Sequence, residues 1–87
     1  MLAAVEAGNS EAQGDIGWFY EKGVGVQQSF GEAAKWYGKA APQGNPIAMK
    51  NLGQLYEDGK GVREDWVEAA NWYQKSADLA LAQGEAA

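Results

Sequence analysis

Two glycine loops and three pairs of side chains are the places where this 87-residue sequence could do chemistry: Gly23-Val24-Gly25, Gly59-Lys60-Gly61, Trp36-Tyr37, Trp72-Tyr73 and Glu64-Asp65. A glycine loop cradles phosphate when a strand precedes it and, in the P-loop, when a Lys followed by Ser or Thr closes it. Neither condition holds here, and both loops fall where a helix ends, the dipole end that repels anions. The Trp-Tyr pairs could stack a ligand, but they recur in the same phase beside Ala33-Ala34 and Ala69-Ala70, as space-filling residues between packed units do. Glu64-Asp65 could serve as a metal ligand or general acid; standing at the start of an apolar-periodic run, it reads instead as helix-capping carboxylate. No acid is paired with a base or nucleophile. The absence of Cys and His excludes a thiol nucleophile, an imidazole base, a soft-metal site and a disulfide framework. The expectation is a protein that is not an enzyme and carries no cofactor or metal.

Trp18 resists the space-filling reading. At about 100° per residue, Ala12, Ile16, Phe19 and Tyr20 gather on one side of a helix, and Glu11, Gly14, Asp15, Trp18 and Lys22 on the other. A tryptophan opposite the apolar stripe exposes a large surface that soluble proteins often use as an interface anchor.

The elements that must position these residues are written twice. Shifted by 36, the sequence matches itself at 15 of the 34 positions from 9 to 42. Ile16, Phe19 and Phe30 meet Leu52, Leu55 and Trp66, so the apolar pattern repeats even where identity does not. Each copy reads as two helices. The first opens at Asn9 or Asn45, an N-cap residue, with Pro46 at the first helical position of the second copy. It closes at Gly23 or Gly59, a left-handed C-cap. The second helix opens at Ser29 or Asp65, with Glu32 or Glu68 three residues on as in a capping box, and its apolar side carries Phe30, Ala33, Ala34, Trp36, Tyr37 and Ala41 in the first copy. Gly17 and Gly53 lie mid-helix, where glycine costs about 1 kcal/mol against Ala, so a neighbouring helix is expected to approach closely there.

The predicted organisation is one domain over residues 1–87: 1–8 as the tail of a preceding unit, 9–44 as the first unit, and 45–84 as the second, its last helix extended by about a turn. The opening "MLAAVEAGN" lacks the basic start and the apolar length of a signal peptide. No apolar run approaches the roughly 20 residues of a membrane span. The net charge of −5 is spread over both halves with no Lys/Arg stripe, which disfavours nucleic acid as a partner.

The residues "AQGDIGWFYEKGVGV…EAAKWYGKAAPQG" and "AMKNLGQLYEDGKGV…EAANWYQKSA" resemble the Sel-1-like repeat family, a relative of the tetratricopeptide repeat. The G-x-G-V turn and the 36-residue period separate it from its 34-residue cousin. The cysteine pairs that clamp some members are missing here. The resemblance implies an all-α fold, a right-handed α-solenoid of antiparallel helix hairpins. It also implies an adaptor or scaffold, a non-catalytic protein–protein interaction module whose first helices line a concave groove. That would place Glu11, Gly14, Trp18 and Lys22 of the first copy, and Ile47, Lys50, Gln54 and Asp58 of the second, in contact with an extended peptide or helix of a partner protein. Trp18 would be the apolar anchor, and Lys22 and Lys50 polar contacts. Two alternatives stand beside this: self-association through terminal helices that carry Leu2, Val5, Leu79 and Leu81 on their surface, or an accessory domain of a larger protein.

Overall fold

The structure is a computed structural model and describes residues 9–83. The reading of 1–8 as the tail of a preceding unit, with Leu2 and Val5 at its surface, lies outside the described residues. Within them the chain forms four α-helices and no strand: α1 (Ser10–Lys22), α2 (Phe30–Ala40), α3 (Pro46–Asp58) and α4 (Trp66–Gln83), with a 3₁₀ turn, Ala41–Gln43, between α2 and α3. Helix α1 packs on α2, α3 on α4, and α2 on α3. Two hairpins thus stack in series, as the units of an α-solenoid do.

The helix boundaries follow from local chemistry. The Asn9 and Asn45 side chains accept hydrogen bonds from the Ala12 and Ala48 N–H groups, each at 2.9 Å. Gly23 and Gly59 close α1 and α3 at φ 70° and 66°, the left-handed region that a β-carbon disfavours. Ser29 Oγ accepts from the Glu32 N–H at 3.1 Å, and Asp65 Oδ1 from the Val67 and Glu68 N–H groups at 3.0 Å. The capping box is only half made, because the backbone N–H of Ser29 donates to the Tyr20 carbonyl and that of Asp65 to the Tyr56 carbonyl, both at 2.9 Å. Those bonds stitch the end of each first helix to the start of the second.

The core lies between the hairpins: Ala33, Ala34, Tyr37, Ala40 and Ala41 meet Ala48, Met49, Leu52 and Leu55. Gly17 and Gly53 show why glycine is used mid-helix. A β-carbon on Gly17 would stand 2.8 Å from the Tyr37 ring and 3.3 Å from the Ala33 carbonyl, and one on Gly53 would stand 2.9 Å from the Tyr73 ring. The tyrosine laid across each glycine donates its hydroxyl to a glutamate on the same hairpin, Tyr37 to Glu21 at 2.6 Å and Tyr73 to Glu57 at 2.8 Å. Burial, then the hydrogen bond to Glu21 and its charge, push the Tyr37 phenol well above its ordinary value. Burial and the same two influences from Glu57, with the charge of Asp58 behind them, push Tyr73 up to about 12.

Three expectations about burial change. In α1 the buried residues are Gln13 and Gly17, whereas Phe19 stays 36% exposed. Its counterpart Leu55 is only 2% exposed, because the first hairpin covers α3 and nothing among the described residues covers α1 in the same way. Trp66, expected on the apolar side of its helix, is 71% exposed for the converse reason: nothing among the described residues covers that side of α4. Leu79, expected at an outer surface, packs against the core, and only Leu81 is exposed.

Candidate functional site

The two first helices lie side by side and leave a cleft of about 120 Å³ between them. Glu11, Gly14, Asp15 and Trp18 line it from α1; Asn45 stands at the start of α3, which contributes Ile47, Ala48 and Asn51. Helical spacing explains the α1 wall, since 11, 14, 15 and 18 fall on one face about a turn apart.

Asn45 holds the cleft together. Its oxygen caps α3, while its Nδ2 donates to the Ser10 carbonyl of α1 at 3.1 Å. One side chain therefore fixes the spacing of both first helices. Gly14 permits this, because a β-carbon there would come within 3.2 Å of that same nitrogen. Gly14, expected in contact with a partner segment, leaves room for the Asn45 side chain. Asn51, on the cleft wall, lies close enough to the Tyr37 phenol to counter part of the rise in its pKa. With the Asn45 amide engaged, the cleft offers its apolar walls and the exposed carboxylates of Glu11 and Asp15.

Trp18 and Ile47 supply the apolar surface. Trp18 is 43% exposed, its ring set edge-on to Phe19 at 5.8 Å, and Ile47 is 70% exposed. Of the eight residues expected at a groove, the structure brings Glu11, Gly14, Trp18 and Ile47 together in the cleft. Lys22, Lys50, Gln54 and Asp58 stand outside its lining, exposed on α1 and α3. Lys22 pairs with Glu21 at 3.7 Å, and Gln54 donates to Asp58 at 3.1 Å one turn along the same helix. Asp15, Asn45, Ala48 and Asn51 were not anticipated. Asp15 shared the predicted face of Trp18 and was legible; Asn45 looked fully explained as a cap, and its second bond spans 35 residues.

Among the described residues no group of three or more acidic side chains is placed to hold a metal ion. No described helix is long and apolar enough to cross a membrane.

The Sel1 repeat model matches the chain twice in succession, at residues 10–45 and 46–81. The chain belongs to the Sel1 repeat family. Sel1 repeats generally serve as protein-interaction modules and typically do not catalyse reactions. Among solved structures, the chain is similar to a Sel1 repeat protein from Oxalobacter formigenes, at 46% identity and a TM-score of 0.80, over 83% of this chain and 30% of that one. It is also similar to a protective antigen present in uropathogenic Escherichia coli strains that displays an SLR fold, at 36% identity and a TM-score of 0.84, over 95% of this chain and 19% of that one. The chain thus spans less than a third of the length of either relative. No curated protein matches it.

Proposed function

We propose that this Sel1 chain is an adaptor that receives a short segment of a partner protein, an extended peptide or a helix, in the cleft between α1 and α3. The observation that carries the reading is the pair Trp18 and Ile47: two apolar side chains held open on rigid helices, facing one cleft. An apolar side chain of the partner packs between them, since a large aromatic at the centre of a small concavity is the usual hot-spot arrangement. A basic residue beside it meets Glu11 and Asp15 at the cleft edge. Lys22 and Lys50 flank this centre and take acidic groups further along the segment, with Gln54 and Asp58 as outer polar contacts. The rim charges govern approach and register more than affinity.

The test is to select short peptides from a display library on the 87-residue chain and titrate the winners. Trp18→Ala should weaken them about 30-fold, equivalent to about 2 kcal/mol, with thermal unfolding nearly unchanged. Peptides that bind the variant as tightly as the parent would remove the cleft from the function. The greater length of the relatives favours a second reading, an accessory segment of a larger protein whose groove continues past this chain. Peptides would then bind weakly here and tightly only when further units are present.

A further inference from the structure

The outer face of the second hairpin carries a depression of about 220 Å³ lined by Glu57, Trp66, Ala69, Ala70 and Tyr73. Its counterpart in the first hairpin, 36 residues earlier, is Glu21, Phe30, Ala33, Ala34 and Tyr37, and there the surface is filled. Helix α3 covers it, and the Lys60-Gly61-Val62 turn presses on the start of α2. A β-carbon on Gly61 would overlap the Phe30 carbonyl, so only glycine admits the approach, and Lys60 Nζ lies 5.2 Å from the centre of the Phe30 ring. Under that cover Ala33 and Tyr37 are fully buried and Ala34 is 7% exposed, whereas Ala70 is open and Trp66 is 71% exposed.

At the other end the matching piece is left uncovered by the described residues. Gly25 has the same left-handed conformation as Gly61, φ 76° against 74°, yet a β-carbon there would meet nothing within 4 Å. Around it Val24 is 48% and Val26 40% exposed, and Phe19 stands open where Leu55 is buried. Among the described residues, then, the chain presents an uncovered seat at one end and, at the other, the kind of turn and helix that fill such a seat between its hairpins. We propose that the seat at Trp66 takes the Val24-Gly25-Val26 turn and α1 of a second copy of this chain, giving a head-to-tail contact that repeats the internal one. Val24 replaces Lys60 there, so an aliphatic side chain packs on the Trp66 ring in place of a cation.

One position opposes the contact. Where the neutral amide of Asn51 stands near Tyr37 inside the molecule, the second copy brings Asp15, a carboxylate, toward Tyr73 and Glu57. The association is therefore weak in the parent chain and tightens when Asp15 becomes Asn.

Sedimentation velocity of the full 87-residue chain over a range of concentrations is the experiment. The mass should rise with concentration and pass the dimer, because a head-to-tail contact leaves free ends. Asp15→Asn should tighten the association by up to about fivefold. Trp66→Asp and Val24→Asp, both at exposed positions, should keep their helix content and each remain monomeric. Mixed in equal amounts they should form a dimer that grows no further, since each retains the half that the other lacks. Parent and Asp15→Asn chains that stay monomeric throughout would overturn the proposal and leave the seat to some other occupant. So would growth that survives both blocking substitutions, or blocked variants that fail to pair when mixed.

Discussion

The face that the first hairpin turns toward the second, and the equivalent face of the second hairpin, are built from nearly the same residues but differ in how far they are covered. Tyr37 is fully buried and its counterpart Tyr73 half-buried; Ala34 is 7% exposed and its counterpart Ala70 open. The first helices reverse the order: Leu55 is 2% exposed on α3, against 36% for Phe19 on α1. In a stack each unit touches only its neighbours, so a residue's burial depends on which neighbour is present as well as on its own type. Features that belong to one hairpin should therefore behave alike in both copies, and features that need a neighbour should not.

The largest expected contrast is between Leu55 and Phe19. Leu55→Ala removes a buried side chain from the core between hairpins and should cost about 3 kcal/mol. Phe19→Ala, at the uncovered position, should cost less than half of that. Chemical denaturation of the two variants measures both, and equal losses would break the comparison.

Next come the mid-helix glycines. Gly17→Ala drives a methyl into the Tyr37 ring, which is enclosed on all sides, and should destabilise by about 2 kcal/mol after the gain in helix propensity. Gly53→Ala meets the same obstacle in Tyr73, but that ring is half open and can swing aside, so about 1 kcal/mol is expected. The C-cap glycines sharpen the point from the other side. Gly23 and Gly59 share one conformation, and the strain of a β-carbon there is local, so both Ala variants should lose about the same amount, about 1 kcal/mol.

The smallest effect is alkaline. A phenol whose folded pKa is raised favours its protonated form in the fold, so its contribution is complete below the unfolded value of about 10 and is lost as pH rises through the folded value. For Tyr73 that window runs from about pH 10 to about 12; for Tyr37 it extends higher. Melting temperatures should decline above pH 10, and Tyr73→Phe should flatten the lower part of the decline. A phenolate absorbance titration should resolve the two classes.

The same division explains what the sequence made legible. Caps, turns and the paired mid-helix glycines depend on residues a few positions apart, and Asn9, Asn45, Gly23 and Gly59 act as their types require. Half of the cleft was legible through helical phase, because Glu11, Gly14 and Trp18 share a face of one helix. The bond from Asn45 to Ser10 was not, since the capping role already accounted for that residue. Nor was the exposure of Trp66, which the apolar pattern placed beside Phe30. The Tyr-Glu bonds did leave a trace, the same 16-residue separation in both copies, but a separation alone does not say which partner a buried phenol finds.

Trp18 and Trp66, the two exposed tryptophans, are proposed to serve different surfaces, the cleft and the seat. A fluorotryptophan-labelled chain gives one fluorine resonance for each of its four tryptophans, assigned by single substitutions. Titrated with a peptide selected on the parent chain, at a concentration where the protein is monomeric, the Trp18 resonance should shift and lose solvent exposure while that of Trp66 stays in place. A peptide that saturates the protein and leaves the Trp18 resonance unmoved would contradict the assignment of the cleft as the partner site.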